Sequence, residues 1–170
     1  MENFDSNYTS QVEKTGGFTL KKSIEVDIAA SSFSMTDNIG GIIKLENFLR
    51  HLNGTGIVHD IAFWDNDANS PELLVDFWRE EPVGSFVSGQ TQDITGNELI
   101  WLGCTKIQAT DWVISATVSR CHISPIGILI NSKEITDENQ ASRDIFITIQ
   151  ASTSVNYDTG LTLYIGQLQD

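Results

Sequence analysis

Three oxygen-bearing side chains at alternate positions, Asp65, Asp67 and Asn69 in "WDNDANSPE", have the spacing of a cation site. An EF-hand loop opens this way, taking calcium ligands from its first, third and fifth positions. Counting on from Asp65, Asp76 falls at position twelve. The other positions fit poorly. Ser70 stands where the loop needs glycine for its sharp turn, Asp76 is shorter than the bidentate Glu, and Glu72 occupies the usually apolar eighth place. The flanks alternate as strands and do not repeat as helices. The stretch therefore reads as a strand connection in which Asn and Asp bond their own backbone. Asp65, Asp67 and Asn69 remain a weak metal candidate in some non-EF geometry.

Other constellations are thinner. His51, His59 and His122, taken with Cys104 and Cys121, have no zinc-ligand spacing. His59 lies between Ile57 and Ile61 and reads as a hydrogen-bonded histidine at the core edge. The cysteines read as two small buried hydrophobes and not as a disulfide. Glu80-Glu81, beside Pro82, could be a carboxylate pair for glycoside chemistry, but adjacent acids after a strand are usually a solvated turn. There is no G-x-S-x-G, Gly-rich phosphate loop or H-E-x-x-H. No catalytic residue, cofactor or enzyme activity is expected.

The elements that would position any site are strands. Period-two alternation places Ile57, His59, Ile61 and Phe63 on one face, with Val58, Asp60, Ala62 and Trp64 on the other. It sets Leu73, Val75 and Phe77 against Leu74, Asp76 and Trp78, groups Trp112, Ile114, Ala116 and Val118, and repeats in Ile145, Ile147, Ile149 and in Leu161, Leu163, Ile165. Residues 19–28, 98–108 and 122–130 read as further strands. Residues 44–52, "KLENFLRHL", carry a helical stripe but run from Gly40-Gly41 into the "NGTG" turn, so a strand is expected, with a short helix as the alternative. About eight or nine strands without a long helix give an all-β fold, a β-sandwich or jelly roll. Residues 1–17 are polar and read as a flexible arm, leaving 18–170 as a single domain.

The net charge of −13 argues against nucleic acid, because phosphate binding needs clustered Lys and Arg. No run approaches the roughly 18 apolar residues of a membrane span, and the chain opens without a secretory signal, so a cytoplasmic product is expected. The sequons at Asn7 and Asn53 carry no meaning in that compartment. Trp64, Trp78, Trp101, Phe146 and Tyr164 sit on strand faces opposite the aliphatic rows. Together with Trp112 they read either as second-sheet core or as subunit contact, where aromatics are enriched.

Gly40-Gly41, the Gly54-Thr55-Gly56 turn, Trp64-Asp65 and the ending "LTLYIGQLQD" after Gly160 resemble a family of small virion structural proteins of tailed bacteriophages. The resemblance covers roughly residues 38–170 and departs at Gly160, where the family usually has a polar residue; the arm and the segment near 131–143 lie outside it. It implies a non-enzymatic auxiliary capsid protein, a decoration or cement protein, on a β-sandwich. Such a protein binds the outside of the major capsid shell as a dimer or trimer, on particles assembled in the host cytoplasm. Another virion position, in a head-fibre base, neck or tail, is the first alternative. The second is a carbohydrate-binding sandwich on the particle surface that uses Trp78 or Trp101 as a sugar platform.

Overall fold

Alternation becomes strand along most of the chain in a computed structural model, which describes residues 8–14, 17–28, 32–52, 54–132 and 142–169. β1 (Tyr8–Lys14), β2 (Gly17–Val26), β13 (Leu161–Gln169) and β5 (Thr55–Asp65) lie side by side in an antiparallel seven-stranded sheet. The far edge of β5 is shared: β9 (Val118–Ile123) pairs with one end and β10 (Ile128–Asn131) with the other. β8 (Trp112–Ser115), entered through a 3₁₀ turn at Ala109–Asp111, closes that edge beyond β9. The second sheet runs β4 (Asn38–Leu45), β11 (Ile145–Ala151), β6 (Leu73–Trp78), β7 (Trp101–Ile107). β3 (Ser32–Phe33) and β12 (Val155–Asn156) form a small third ladder. The two main sheets face each other as a jelly-roll-like β-sandwich. No helix among the described residues is long and apolar enough to cross a membrane.

The core is the space between these sheets. Ile61, Phe63, Leu163 and Ile165 of the larger sheet meet Ile147, Ile149, Val75 and Phe77 of the smaller one, all 1% exposed or less. Each such side chain stabilises the fold by roughly 1.5–3 kcal/mol when fully buried. The β-branched members also favour the pleated backbone.

Strict alternation also fails within the central strand. Gly166 of β13 pairs with Asp60 and Gln167 with Val58, which leaves His59 as an extra residue. Such a β-bulge turns the strand over. Val58 is buried with Ile57 exposed, whereas past the bulge Phe63 is buried with Trp64 exposed. The expected common face of Ile57, His59, Ile61 and Phe63 therefore holds only for the last two. Gly166 suits its place, because a Cβ there would run into the Asp60 carboxylate.

Four further segments depart from the sequence expectation. Residues 46–52 are neither strand nor helix but a chain of turns after β4, although Phe48 and Leu49 are buried. Asn47 adopts a left-handed φ of 52°, and distant partners take the backbone groups: Asp144 accepts from Asn47 N–H, Arg143 O from Leu49 N–H, and Phe48 O receives the Gln167 side chain. "WVISATV" breaks at a two-residue hairpin, Ala116-Thr117, so Trp112 faces the core while Ile114 is exposed. Residues 122–130 split between β9 and β10 across the Ser124–Pro125 bond. Within the expected arm, Tyr8–Lys14 pairs with β2 as an edge strand; the rest of 1–16 lies outside the described residues, as does most of 131–143.

Candidate functional site

Asp65 is fully buried at the end of β5, and its carboxylate is the hub of the loop that comes after. Oδ1 accepts from Asp67 N–H at 2.8 Å; Oδ2 accepts from Asn69 N–H at 2.8 Å, Ser70 N–H at 3.1 Å and the Ser119 hydroxyl at 3.3 Å. Asp67 reaches the other way and accepts from the backbone of Asp158, Thr159 and Gly160. Burial alone would raise the Asp67 carboxyl, but these donors and the Thr159 hydroxyl together hold it below its usual range. Asn69 donates to Asn156 O. The three side chains thus point at three different sets of backbone partners and do not converge on a common point. Among the described residues, no three His, Cys, Asp or Glu side chains gather where a metal ion could be held.

At the bulge, His59, Asp60 and Ser124 have the composition of a catalytic triad but not its wiring. Asp60 Oδ2 lies 3.3 Å and Ser124 Oγ 3.5 Å from the same nitrogen, His59 Nδ1. A relay needs acid and nucleophile on opposite ring nitrogens. The free cysteines are apart: Cys121 is buried, its thiol pushed up to about 11 by burial, and Cys104, against expectation, is exposed. Glu81 is exposed and Glu80 half-buried where a long loop begins.

That loop, residues 79–100, decides the fate of the aromatics on the smaller sheet. Phe146, Trp78 and Trp101 are cross-strand neighbours on β11, β6 and β7. Trp78, expected as a candidate contact residue, is only 1% exposed because the loop covers it, with Phe86 edge-on to its ring at 6.1 Å. Its indole N–H donates to Thr148 Oγ1 at 3.1 Å. Phe146 is half-buried and Trp101 is 45% exposed. The loop is fastened by a buried polar chain: Asn38 Nδ2 donates to Gln92 Oε1, Gln92 Nε2 to Asp76 Oδ2, and Trp101 Nε1 to Asp76 Oδ1. Trp101, Ile94, Leu74 and Cys104 line a depression of about 340 Å³ together with Asp76, Asn97 and Glu98.

Burial pushes the Asp76 carboxyl above the ordinary carboxylate range, against the pull of the Trp101 and Gln92 donors. The folded chain therefore holds that proton more tightly than the unfolded chain. Stability from this group falls as pH rises from about 4 through the raised native value. Asp76→Asn is expected to remove the slope and keep the network. A carboxamide at position 76 can donate to Oε1 of a turned-over Gln92 amide, and Asn38, turned over in step, then accepts from Gln92 Nε2 with the Oδ1 that is now buried without a partner. Urea titrations across about pH 4 to 7 check this. The stability difference should move in favour of the variant as pH rises, and parallel curves would refute the assignment.

The outer face of the larger sheet carries the remaining two candidates. Trp64 and Tyr164 are 37% and 39% exposed and lie diagonally across β5 and β13. With Val113, Arg120 and His122 they border a second depression of about 350 Å³. Sequence reasoning missed Arg120 and took up His122 only as a zinc candidate without ligand spacing. Their alternation with Cys121 is legible, but the pairing of β9 with β5 that sets them beside Trp64 is not.

No family model matches the chain, and no curated protein matches it. Among solved structures it is similar to a chain of mud crab tombus-like virus, with 8% identity, a TM-score of 0.35, and 94% of this chain and 91% of that one covered. It is also similar to a carbohydrate-binding module specific for non-crystalline cellulose, with 12% identity, a TM-score of 0.34, and 94% and 78% covered. Turnip yellow mosaic virus gives 13% identity, a TM-score of 0.28, and 91% and 94% covered. Superpositions of this depth carry no functional argument, so function has to be read from the chain's own residues.

Proposed function

We propose that this chain is a non-enzymatic virion structural protein of a tailed bacteriophage, an auxiliary capsid protein that binds the exterior of the major capsid shell and stabilises it. The observation that carries the proposal is the apolar surface on and beside the 79–100 loop. Leu99 is 90% exposed and Ile94 and Trp101 about half exposed, on backbone held by internal hydrogen bonds, Asn97 fastening Val83 in both directions. An exposed, firmly held apolar patch is the signature of a protein contact. The residues that resemble the phage family support a shared scaffold: Gly40 is left-handed at φ 81°, Asp65 organises its loop, and Gly166 seats Asp60. Repeated over a lattice, modest contacts of this kind hold jointly.

Co-sedimentation with empty shells assembled from the same phage's major capsid protein tests the proposal. The wild-type chain should pellet with shells. Leu99→Asp, at a position with almost no packing to lose, should weaken binding about tenfold or more. No pelleting of the wild type, or no effect of the variant, overturns it. Particle micrographs showing density only at the portal or tail would move the protein to one of those positions.

One observation favours a second reading, a carbohydrate-binding surface. Trp101 is half-exposed, its ring held by the Asp76 hydrogen bond, beside Asn97 and Glu98. Binding on a glycan array that Trp101→Ala abolishes would establish it, and an empty array would remove it.

A further inference from the structure

We infer that the outer face of the seven-stranded sheet is a self-complementary surface that takes a second copy of this chain across a two-fold axis parallel to the strands. This goes beyond capsid binding, which concerns the opposite side of the sandwich. Strand pairing sets two adjacent rows on this face. One runs Val113, Arg120, Trp64, Thr162, Glu25 across β8, β9, β5, β13 and β2. The next runs His122, Ala62, Tyr164, Ser23 across β9, β5, β13 and β2.

The order of chemistry in these rows is what selects the occupant. Basic side chains stand at the β9 end, aromatics in the middle and an acid at the β2 end. Arg120 and Glu25 are both exposed, and among the described residues neither has an ion-pair partner within the chain. Asp111 borders the same depression as Arg120, but its carboxylate accepts the Gln108 N–H. A two-fold axis lying in the interface along the strands lays the β9 side of one copy over the β2 side of the other. Arg120 then meets Glu25 of the second copy twice, and the Trp64 row and the Tyr164 row each close on their own counterpart. A foreign partner would have to present acid, aromatic and base in this same order; a second copy does so by construction.

Past the bulge the same face adds Leu129, Ile57 and Leu168, direct cross-strand neighbours that are 64%, 42% and 41% exposed. The axis lays this aliphatic end on its own copy too. Five strands about 4.8 Å apart, along strands about 30 Å long, offer roughly 700 Å². A standard interface buries about 800 Å² per partner.

Sedimentation equilibrium on the full chain, with charge-reversal variants, tests the inference. Wild type should be a dimer at micromolar concentration. Arg120→Glu and Glu25→Arg each set like charges together across the axis and should weaken the dimer about tenfold or more. The double variant Arg120→Glu/Glu25→Arg restores both pairs and should recover wild-type affinity to within about threefold. Both sites are exposed, and far-UV circular dichroism confirms folding. A monomeric or trimeric wild type, single reversals without effect, or a double variant weaker than either single overturns the inference. Because shell binding is read through Leu99 on the other side, either result can fail while the other stands.

Discussion

Asp65→Ala is expected to destabilise the protein by about 3–4 kcal/mol, a fall of roughly 6–16 °C in Tm for a chain of this size. The carboxylate is inaccessible to water and accepts from three backbone N–H groups and the Ser119 hydroxyl. Its removal strands those donors together, and a donor left buried without a partner costs about 1–3 kcal/mol. The loop is partly open, so water can reach some of them, which keeps the total below the simple sum. Asp67→Ala is expected to cost only about 1 kcal/mol, because its hydrogen bonds lie mostly at the surface. Urea denaturation followed by tryptophan fluorescence measures both. Since each carboxylate is already committed to N–H donors, calcium or a chelator should leave the wild-type midpoint unchanged. A loss below about 1 kcal/mol for Asp65→Ala, or a calcium-dependent midpoint, would contradict the hub role of Asp65.

Trp78→Ala is expected to cost about 4 kcal/mol, whereas Trp64→Ala should cost under about 1 kcal/mol in the isolated chain. The Trp78 ring is sealed between β6 and the 79–100 loop, and its N–H satisfies Thr148 Oγ1, itself buried. Truncation leaves a cavity, an unpartnered hydroxyl and a loop without its main apolar anchor. Trp64 lies on an open sheet face with a third of its surface in water. Parallel thermal melts separate the two, and equal losses would show that the loop does not clasp the sheet.

The strands were legible because each main one covers a core with one face, so alternation survives in Leu73, Val75, Phe77 and in Leu161, Leu163, Ile165. The all-β sandwich arises from such segments. What failed to read depends on remote chain. Nothing in "LLVDFW" distinguishes Trp78 from an exposed aromatic; the difference is the covering loop, whose polar residues look like solvent-facing connection. Gln92 and Asn97 are nevertheless buried. The stripe of Leu45, Phe48 and Leu49 signals burial truly, but burial alone does not say helix when other segments take the backbone hydrogen bonds. Of the candidate contacts, Trp64 and Tyr164 fall together because β5 and β13 pair. That register, like the one bringing Arg120 and Glu25 to either side of them, is a property of the assembled sheet.

The additional residue at His59 gives the central strand two sidedness conventions, one for each half. A chain shortened by one position there would need no new chemistry to fail: Ile57 would swing toward the interior and Val58 toward water, with the Leu129 and Leu168 neighbours left mismatched. Length at this point is therefore as much a specification as residue type. Descendants of this sequence can exchange the side chain at position 59 far more freely than they can lose the position.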